Sequence, residues 1–284
     1  MTVTVDRPGA TAPAGASSTS VVGSTAAPAA HYAKRRMHHI FAPDGKALVV
    51  AMDGARNGPA TGLRDAAAAV KAVVDGGADA ILTTYGMGRA TADVLRGQGL
   101  ILGLDSEDDI ADYGVEHALR FGADAVELKV FPGNATDTKL ADLRRLAAKC
   151  NEWGMPLLAE PIPVSFQDTS AHTMENIARA ARIGCECGGD FLKVHYVGPT
   201  EAFAERVIAE CYVPVLCLGG PAKDDPLDAL RACAGAMQAG ARGIVFGRNI
   251  VNSPRPDRMC AALGEIIHGG ASVDSAARHL NAPR

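Results

Sequence analysis

From residue 47 onward, short apolar, often β-branched runs alternate with longer stretches of helical period. This alternation limits the folds open to the chain more than any other feature. Strand candidates stand at residues 47–53, 80–84, 100–104, 125–130, 156–160, 191–195, 213–218 and 243–246. Between them, residues 63–74, 108–121, 138–153, 173–187, 200–211, 227–239 and 257–268 carry apolar side chains three and four apart, the spacing of a helix with one buried face. Gly122, Gly154, Gly188 and Gly240 stand where helices should stop. Strands apolar on both faces and separated by helices imply parallel βαβ units. Eight such units over about 220 residues match a single α/β domain, a (β/α)8 TIM barrel, in number and length. A doubly wound open sheet is the alternative. It expects a glycine-rich phosphate turn after the first strand, and Asp53-Gly54-Ala55-Arg56-Asn57-Gly58 lacks that fingerprint.

Composition narrows the partners. Residues 2–30 are rich in Ala, Ser, Thr, Pro and Gly with no periodic apolar face, and so cannot offset their ordering entropy by burial. Residues 1–31 are therefore expected to form a disordered tail and residues 32–284 the barrel. At the junction, Lys34-Arg35-Arg36 reads as a solvated helix face, with a phosphate patch as the alternative. A net charge of -4 and an aromatic content of 5% argue against a nucleic-acid groove. No apolar run is long enough to span a bilayer, and the N-terminus lacks the pattern of a secretory signal. Seven scattered cysteines without a Cys-x-x-Cys pair read as reduced thiols. These features point to the cytoplasm, and no Cys/His/Asp cluster of zinc spacing calls for a metal or other cofactor.

In a barrel of this kind, chemistry gathers where strands end. The first strand candidate ends in Asp53, the fourth carries Glu127 and Lys129, the fifth ends in Glu160, and the sixth carries Lys193 and His195. Alternation puts Glu127 with Lys129, and Lys193 with His195, on shared faces. If those faces point inward, two lysines and three carboxylates converge. Lys193 lies in the apolar run Phe191-Leu192-Lys193-Val194, where desolvation favours the neutral amine, a nucleophile toward carbonyls. The plainer readings are a strand-end lysine reaching solvent or a structural ion pair. His195 reads first as a satisfied core histidine. Lys129 is equally open to a structural pairing with Glu127 or Glu160. An amine, a second cation and a carboxylate together are what an aldol cleavage through an imine requires. Gly219-Gly220 after the seventh strand and Gly247-Arg248-Asn249 after the eighth form a candidate phosphate cradle.

These motifs resemble the class I aldolase superfamily, which includes archaeal-type fructose-bisphosphate aldolases, deoxyribose-phosphate aldolase, tagatose-bisphosphate aldolase and the aminodideoxyheptulosonate synthases. The resemblance runs from about residue 35 to 268 and is carried by residues 35–58 (with Met52-Asp53-Gly54), 190–196, 218–221 and 243–249. It implies Lys193 as the imine-forming lysine and Asp53 as an orienting acid. It implies Glu160 in the place of the tagatose-bisphosphate aldolase glutamate, and Gly219, Gly220, Gly247 and Arg248 as phosphate ligands. The chain departs from the archaeal pattern at Gly54 (often histidine), Ile162 (often tyrosine) and Leu218 (often serine), and Lys129 lies about two positions from the family's second lysine. The expected activity is metal-independent cleavage or formation of a C–C bond in a phosphorylated ketose, with a three-carbon donor such as dihydroxyacetone phosphate. A heptulosonate-synthase-type condensation with an amino-acid semialdehyde and a non-catalytic phosphate-sensing barrel are the alternatives. A homo-oligomer is the expected assembly.

Overall fold

The computed structural model describes residues 34–95, 97–104, 110–135 and 139–281. The expected tail, residues 1–31, lies outside them, as do the first residues of the helix candidates beginning at 108 and 138. Strands β1 (Ala47–Ala51), β2 (Ala80–Thr83), β3 (Gly99–Leu104), β4 (Ala125–Val130), β5 (Leu157–Pro161), β6 (Phe191–His195), β7 (Val215–Leu218) and β8 (Gly243–Phe246) form a closed barrel in sequence order. Every neighbouring pair is parallel, and β8 closes on β1 through Ala47↔Gly243 to Val50↔Phe246. This is a (β/α)8 TIM barrel. No helix among the described residues is long and apolar enough to cross a membrane.

Helices follow the strands because their ends are written locally. Asp65 accepts from Ala68 N–H and starts Ala66–Asp75, so that helix begins later than residue 63. Thr173 does the same for Met174–Glu186, and Asp225, followed by Pro226, for Pro226–Gln238. Gly122, Gly154, Gly188 and Gly240 all take positive φ just past helix ends, as a left-handed stop requires. Residues 200–211 depart from a plain helix: Thr200–Phe203 runs into a π-helical turn at Ala204–Ile208. Thr84, expected in β2, instead caps a short helix, Tyr85–Ala90, by accepting from Met87 N–H.

Two apolar shells hold the barrel. Inside, Val49, Leu82, Ile101, Leu158, Phe191, Leu216 and Val245 fill the lumen, and Met37, Ile40 and Phe41 close its N-terminal end. Phe41 meets Phe191 edge-on at 5.6 Å between ring centroids. Outward-facing alternates such as Leu48, Val50, Leu102, Leu128, Leu192 and Ile244 pack under the helices.

The N-terminal end is also tied by a repeated polar clasp. Aspartates before β2, β4 and β6 each accept the N–H of a residue in the preceding strand. Asp79 takes Leu48 at 2.7 Å, Asp124 takes Leu100 at 3.0 Å, and Asp190 takes Leu157 at 2.8 Å. Each aspartate is then paired: Asp190 with Lys34 at 2.7 Å, Asp124 with His39 at 2.6 Å, and Asp79 with His268 at 3.0 Å. Lys34 and Arg36, which lies 3.9 Å from Asp124, therefore belong to this clasp, which corrects the solvated-face and phosphate-patch readings of the basic triplet.

His268 gives the clasp a pH signature. Its hydrogen bond to Asp79 raises it to about 9, against the opposing effect of burial and with Asp44 adding. A histidine raised in the folded state stabilises fully below its unfolded value of about 6.5, and that contribution fades as pH climbs through the folded value. His268→Gln is expected to melt several degrees below the parent at pH 6, corresponding to about 1–2 kcal/mol. Thermal unfolding at pH 6 and pH 10 checks this; the gap should shrink at the higher pH, and a constant gap contradicts the assignment.

Candidate active site

Buried polarity is concentrated at the C-terminal end of the barrel. Of the eight buried polar side chains among the described residues, Asp53, Glu127, Glu160, Lys193 and Asn249 all lie there. Strand alternation explains why. Ala125, Leu158 and Phe191 are in the lumen core. Glu127 and Lys129, Glu160, and Lys193 and His195 follow them at two-residue steps and so face the same interior. The ladder aligns Lys129 with Glu160, and the β5–β6 register, Leu158↔Phe191, brings Glu160 level with Lys193.

The sequence-predicted residues meet. Lys193, 5% exposed, places Nζ 2.9 Å from Glu160 Oε1, and Glu160 is 1% exposed. Lys129 Nζ donates to Asp53 Oδ2 at 2.6 Å and lies 3.3 Å from Glu127 Oε1 and 3.7 Å from Glu160 Oε2. Asp53 is not the last residue of β1 but the first of a 3-10 turn, Asp53–Asn57, which swings its carboxylate across the mouth toward β4. Lys193 thus has as its close partner the carboxylate of the neighbouring strand, the grouping of amine and carboxylate that the strand ends suggested.

The electrostatics follow from this packing. Burial opposes charge on Asp53, yet Lys193, Lys129 and Arg56 outweigh it and bring the carboxyl down to about 2. Burial likewise opposes charge on Lys129, but Glu127, Glu160 and Asp53 hold it above the ordinary lysine value. Burial pushes His195 down to about 4, with His172 and Lys193 adding to the effect, so its imidazole is neutral at neutral pH. His195 lies against His172 from the loop after β5, with ring centroids 4.4 Å apart, and its Nε2 is buried without a hydrogen-bond partner. It is therefore not the satisfied core histidine of the plainer reading.

The two glycine loops also come together. Asn249 Nδ2 donates to Gly219 O at 3.0 Å and to Pro221 O at 3.3 Å, while its Oδ1 accepts from Lys223 N–H at 2.9 Å. The loop after β7 is thus tied to Gly247-Arg248-Asn249 after β8. Gly220 takes φ +64°, and Arg248 is exposed at the rim. Asn249 was legible only as part of a motif; its positioning contacts were not. Arg56 was missed altogether. It lies 3.7 Å from Asp53 and fits over β3 because Gly103 has no Cβ to collide with its guanidinium. An inward glycine in an otherwise apolar strand was the available signal.

Concavity alone does not mark this site. An open cleft of about 500 Å³ lies toward the other end of the barrel, lined by His39, Leu95, Leu100, Phe121 and Asp124 among others. Its His39–Asp124 pair belongs to the clasp, and no lysine lines it.

Residues 41–253 match the family described as DeoC/LacD family aldolase. The chain is 31% identical over 267 residues to an uncharacterized aldolase of Saccharolobus solfataricus, covering 86% of this chain and 97% of that protein. It is 32% identical over 251 residues to 2-amino-3,7-dideoxy-D-threo-hept-6-ulosonate synthase 1 of Archaeoglobus fulgidus, covering 85% and 93%. Among solved structures, a Schiff base forming fructose-1,6-bisphosphate aldolase superposes with a TM-score of 0.72 at 28% identity, covering 82% of this chain and 98% of that one. The chain belongs to the DeoC/LacD family of aldolases, and it is a lyase of the class I aldolase superfamily.

Proposed function

We propose that the protein cleaves or forms a C–C bond in a phosphorylated ketose through a Schiff base on Lys193, with a three-carbon donor such as dihydroxyacetone phosphate. The observation that carries this reading is the buried amine of Lys193 with Glu160 Oε1 2.9 Å away at the barrel mouth. An amine nucleophile needs a proton acceptor within reach, and this carboxylate is one.

Lys193 passes a proton to Glu160 and attacks the substrate carbonyl. The carbinolamine loses water as Glu160 returns the proton, leaving an iminium. Glu160 then takes the proton of the C4 hydroxyl, the C3–C4 bond breaks, and its electron pair moves into the iminium to give an enamine. Reprotonation and hydrolysis release the three-carbon ketone phosphate and regenerate Lys193. Lys129, held between Asp53, Glu127 and Glu160, adds a fixed positive charge beside the reacting groups, and Asp53 orients Lys129 and the substrate. Gly219, Gly220, Gly247 and Arg248 bind the phosphate, with Asn249 holding the two loops in register.

The likeness to the heptulosonate synthase supports a second reading of the same site. There the Lys193 enamine condenses with an amino-acid semialdehyde in the synthetic direction. A panel of fructose, tagatose and heptulosonate phosphates separates the two.

Incubation with dihydroxyacetone phosphate followed by borohydride should leave a covalent adduct on Lys193, located by peptide mass. Lys193→Met should take up none while retaining the fold by circular dichroism. A metal-dependent aldol activity that survives Lys193→Met refutes the imine route. Glu160→Gln is expected to lower kcat by about 10²–10⁴-fold, with KM little changed, because it removes the proton acceptor but not the phosphate contacts. Steady-state kinetics on the ketose phosphate that the parent turns over checks it.

A further inference from the structure

Three buried carboxyl oxygens lack a hydrogen-bond donor at one spot: both oxygens of Glu127 and Oε2 of Glu160. Glu127 is fully buried on β4, one inward step below Lys129. Lys129 reaches toward it at 3.3 Å but makes its hydrogen bond with Asp53. Glu160 has its other oxygen, Oε1, engaged by Lys193. Two ionised carboxylates side by side in a dry layer repel, and each would be left short of donors. A single proton between them removes both problems. The surroundings say which residue carries it: both are fully buried, but Glu160 faces two lysines, Lys193 and Lys129, whereas Glu127 faces one, Lys129.

We infer that Glu127 is a positioning residue that stays protonated and donates to Glu160 Oε2, which holds Glu160 ionised with Oε1 turned toward Lys193. The inference rests on the roles proposed above for Lys193 and Glu160 and supplies what keeps Glu160 in its working state.

The charged groups around Glu127 are Lys129 on its own strand, Glu160 on β5, Lys193 on β6, and Asp53 and Arg56 from the turn after β1. On the β3 side the inward residue is Gly103, which carries no side chain. Burial raises Glu127 to about 8, with Glu160 adding to the rise and the two lysines opposing it. Glu160 goes the other way: burial would raise it, but Lys193, Lys129 and the bond from Glu127 lower it. Above about pH 8, Glu127 ionises, Glu160 loses its donor and acquires a like-charged neighbour, and the aligned carboxylate is lost. Activity should fall there for that reason.

Infrared spectroscopy of the resting enzyme tests this without substrate. The parent should show the carbonyl stretch of a buried, protonated carboxylic acid at pH 7. That band should fade as pH rises through about 8 and be missing from Glu127→Gln. Glutamine can still donate to Glu160, so its kcat is expected to stay within about tenfold of the parent at pH 7, with the high-pH fall moved or abolished. Glu127→Leu removes the donor and should lower kcat about 100-fold with KM little changed. No acid band in the parent, or equal losses in the glutamine and leucine variants with an unmoved pH profile, overturns the inference. If the leucine variant fails to fold, the parent and glutamine spectra and profiles decide it. The borohydride adduct keeps the two readings apart. An adduct on Lys193 without the acid band sinks the role of Glu127 alone, whereas the acid band without an adduct sinks the imine chemistry and leaves the protonated glutamate standing.

Discussion

A closed parallel sheet leaves an inward side chain near its C-terminal edge one exit, through the mouth, and the charged residues of β4, β5 and β6 all point there. Water cannot neutralise them at that depth, so they must do it for one another. Lys129 is the hub of that arrangement. It spans the lumen from β4 to Asp53 beyond β1 and passes the carboxyl groups of Glu127 and Glu160 on the way. Such a network is costly unless each member is satisfied. With Lys129 drawn to Asp53, Lys193 is left with Glu160 as its close partner, the pairing on which the proposed proton transfer rests.

The two ends of the barrel use charge differently. At the N-terminal end, Asp79, Asp124 and Asp190 accept strand N–H groups and then meet Lys34, His39 or His268. Each carboxylate there has a backbone donor and a basic side chain, a set of partners that fixes strand register. At the C-terminal end, Glu127 and Glu160 have oxygens to spare, and His195 presents a ring nitrogen with no partner. The proton inferred between the two glutamates answers their shortfall, and the unpartnered nitrogen of His195 is what a site leaves for an incoming ligand.

Much of this was legible in the sequence because it depends on periodicity. Strand number followed from the alternation of apolar runs and helical stretches. The shared faces of Glu127 with Lys129, and of Lys193 with His195, followed from a period of two. What the sequence could not show was which residue faces which across the lumen. Strand ends put Glu160 among the candidate partners of Lys193, but only the β5–β6 register shows that its Oε1 stands opposite the amine while Lys129 is drawn to Asp53. Arg56 enters the site only because Gly103, 47 positions away, leaves room for it. The Gly-Ala-Asp and Gly-Gly-Asp triplets before β2, β4 and β6 recur in the chain, but their meaning lies in bonds to neighbouring strands. Residues 200–211 kept their helical spacing while the backbone widened into a π turn, a difference the side-chain pattern does not encode.

Strand order also constrains how a substrate would lie. Around the mouth, the buried glutamates sit on β4 and β5, the amine on β6, and the glycine loops after β7 and β8. On the roles proposed above, a ligand with its phosphate at the loops and its carbonyl at Lys193 would direct the rest of its carbon chain toward Glu160. That sequence of groups — phosphate, carbonyl, then a hydroxyl two carbons on — is the order along a 2-ketose 1-phosphate. The bond to be broken would lie between the iminium carbon's neighbour and the carbon whose hydroxyl faces Glu160.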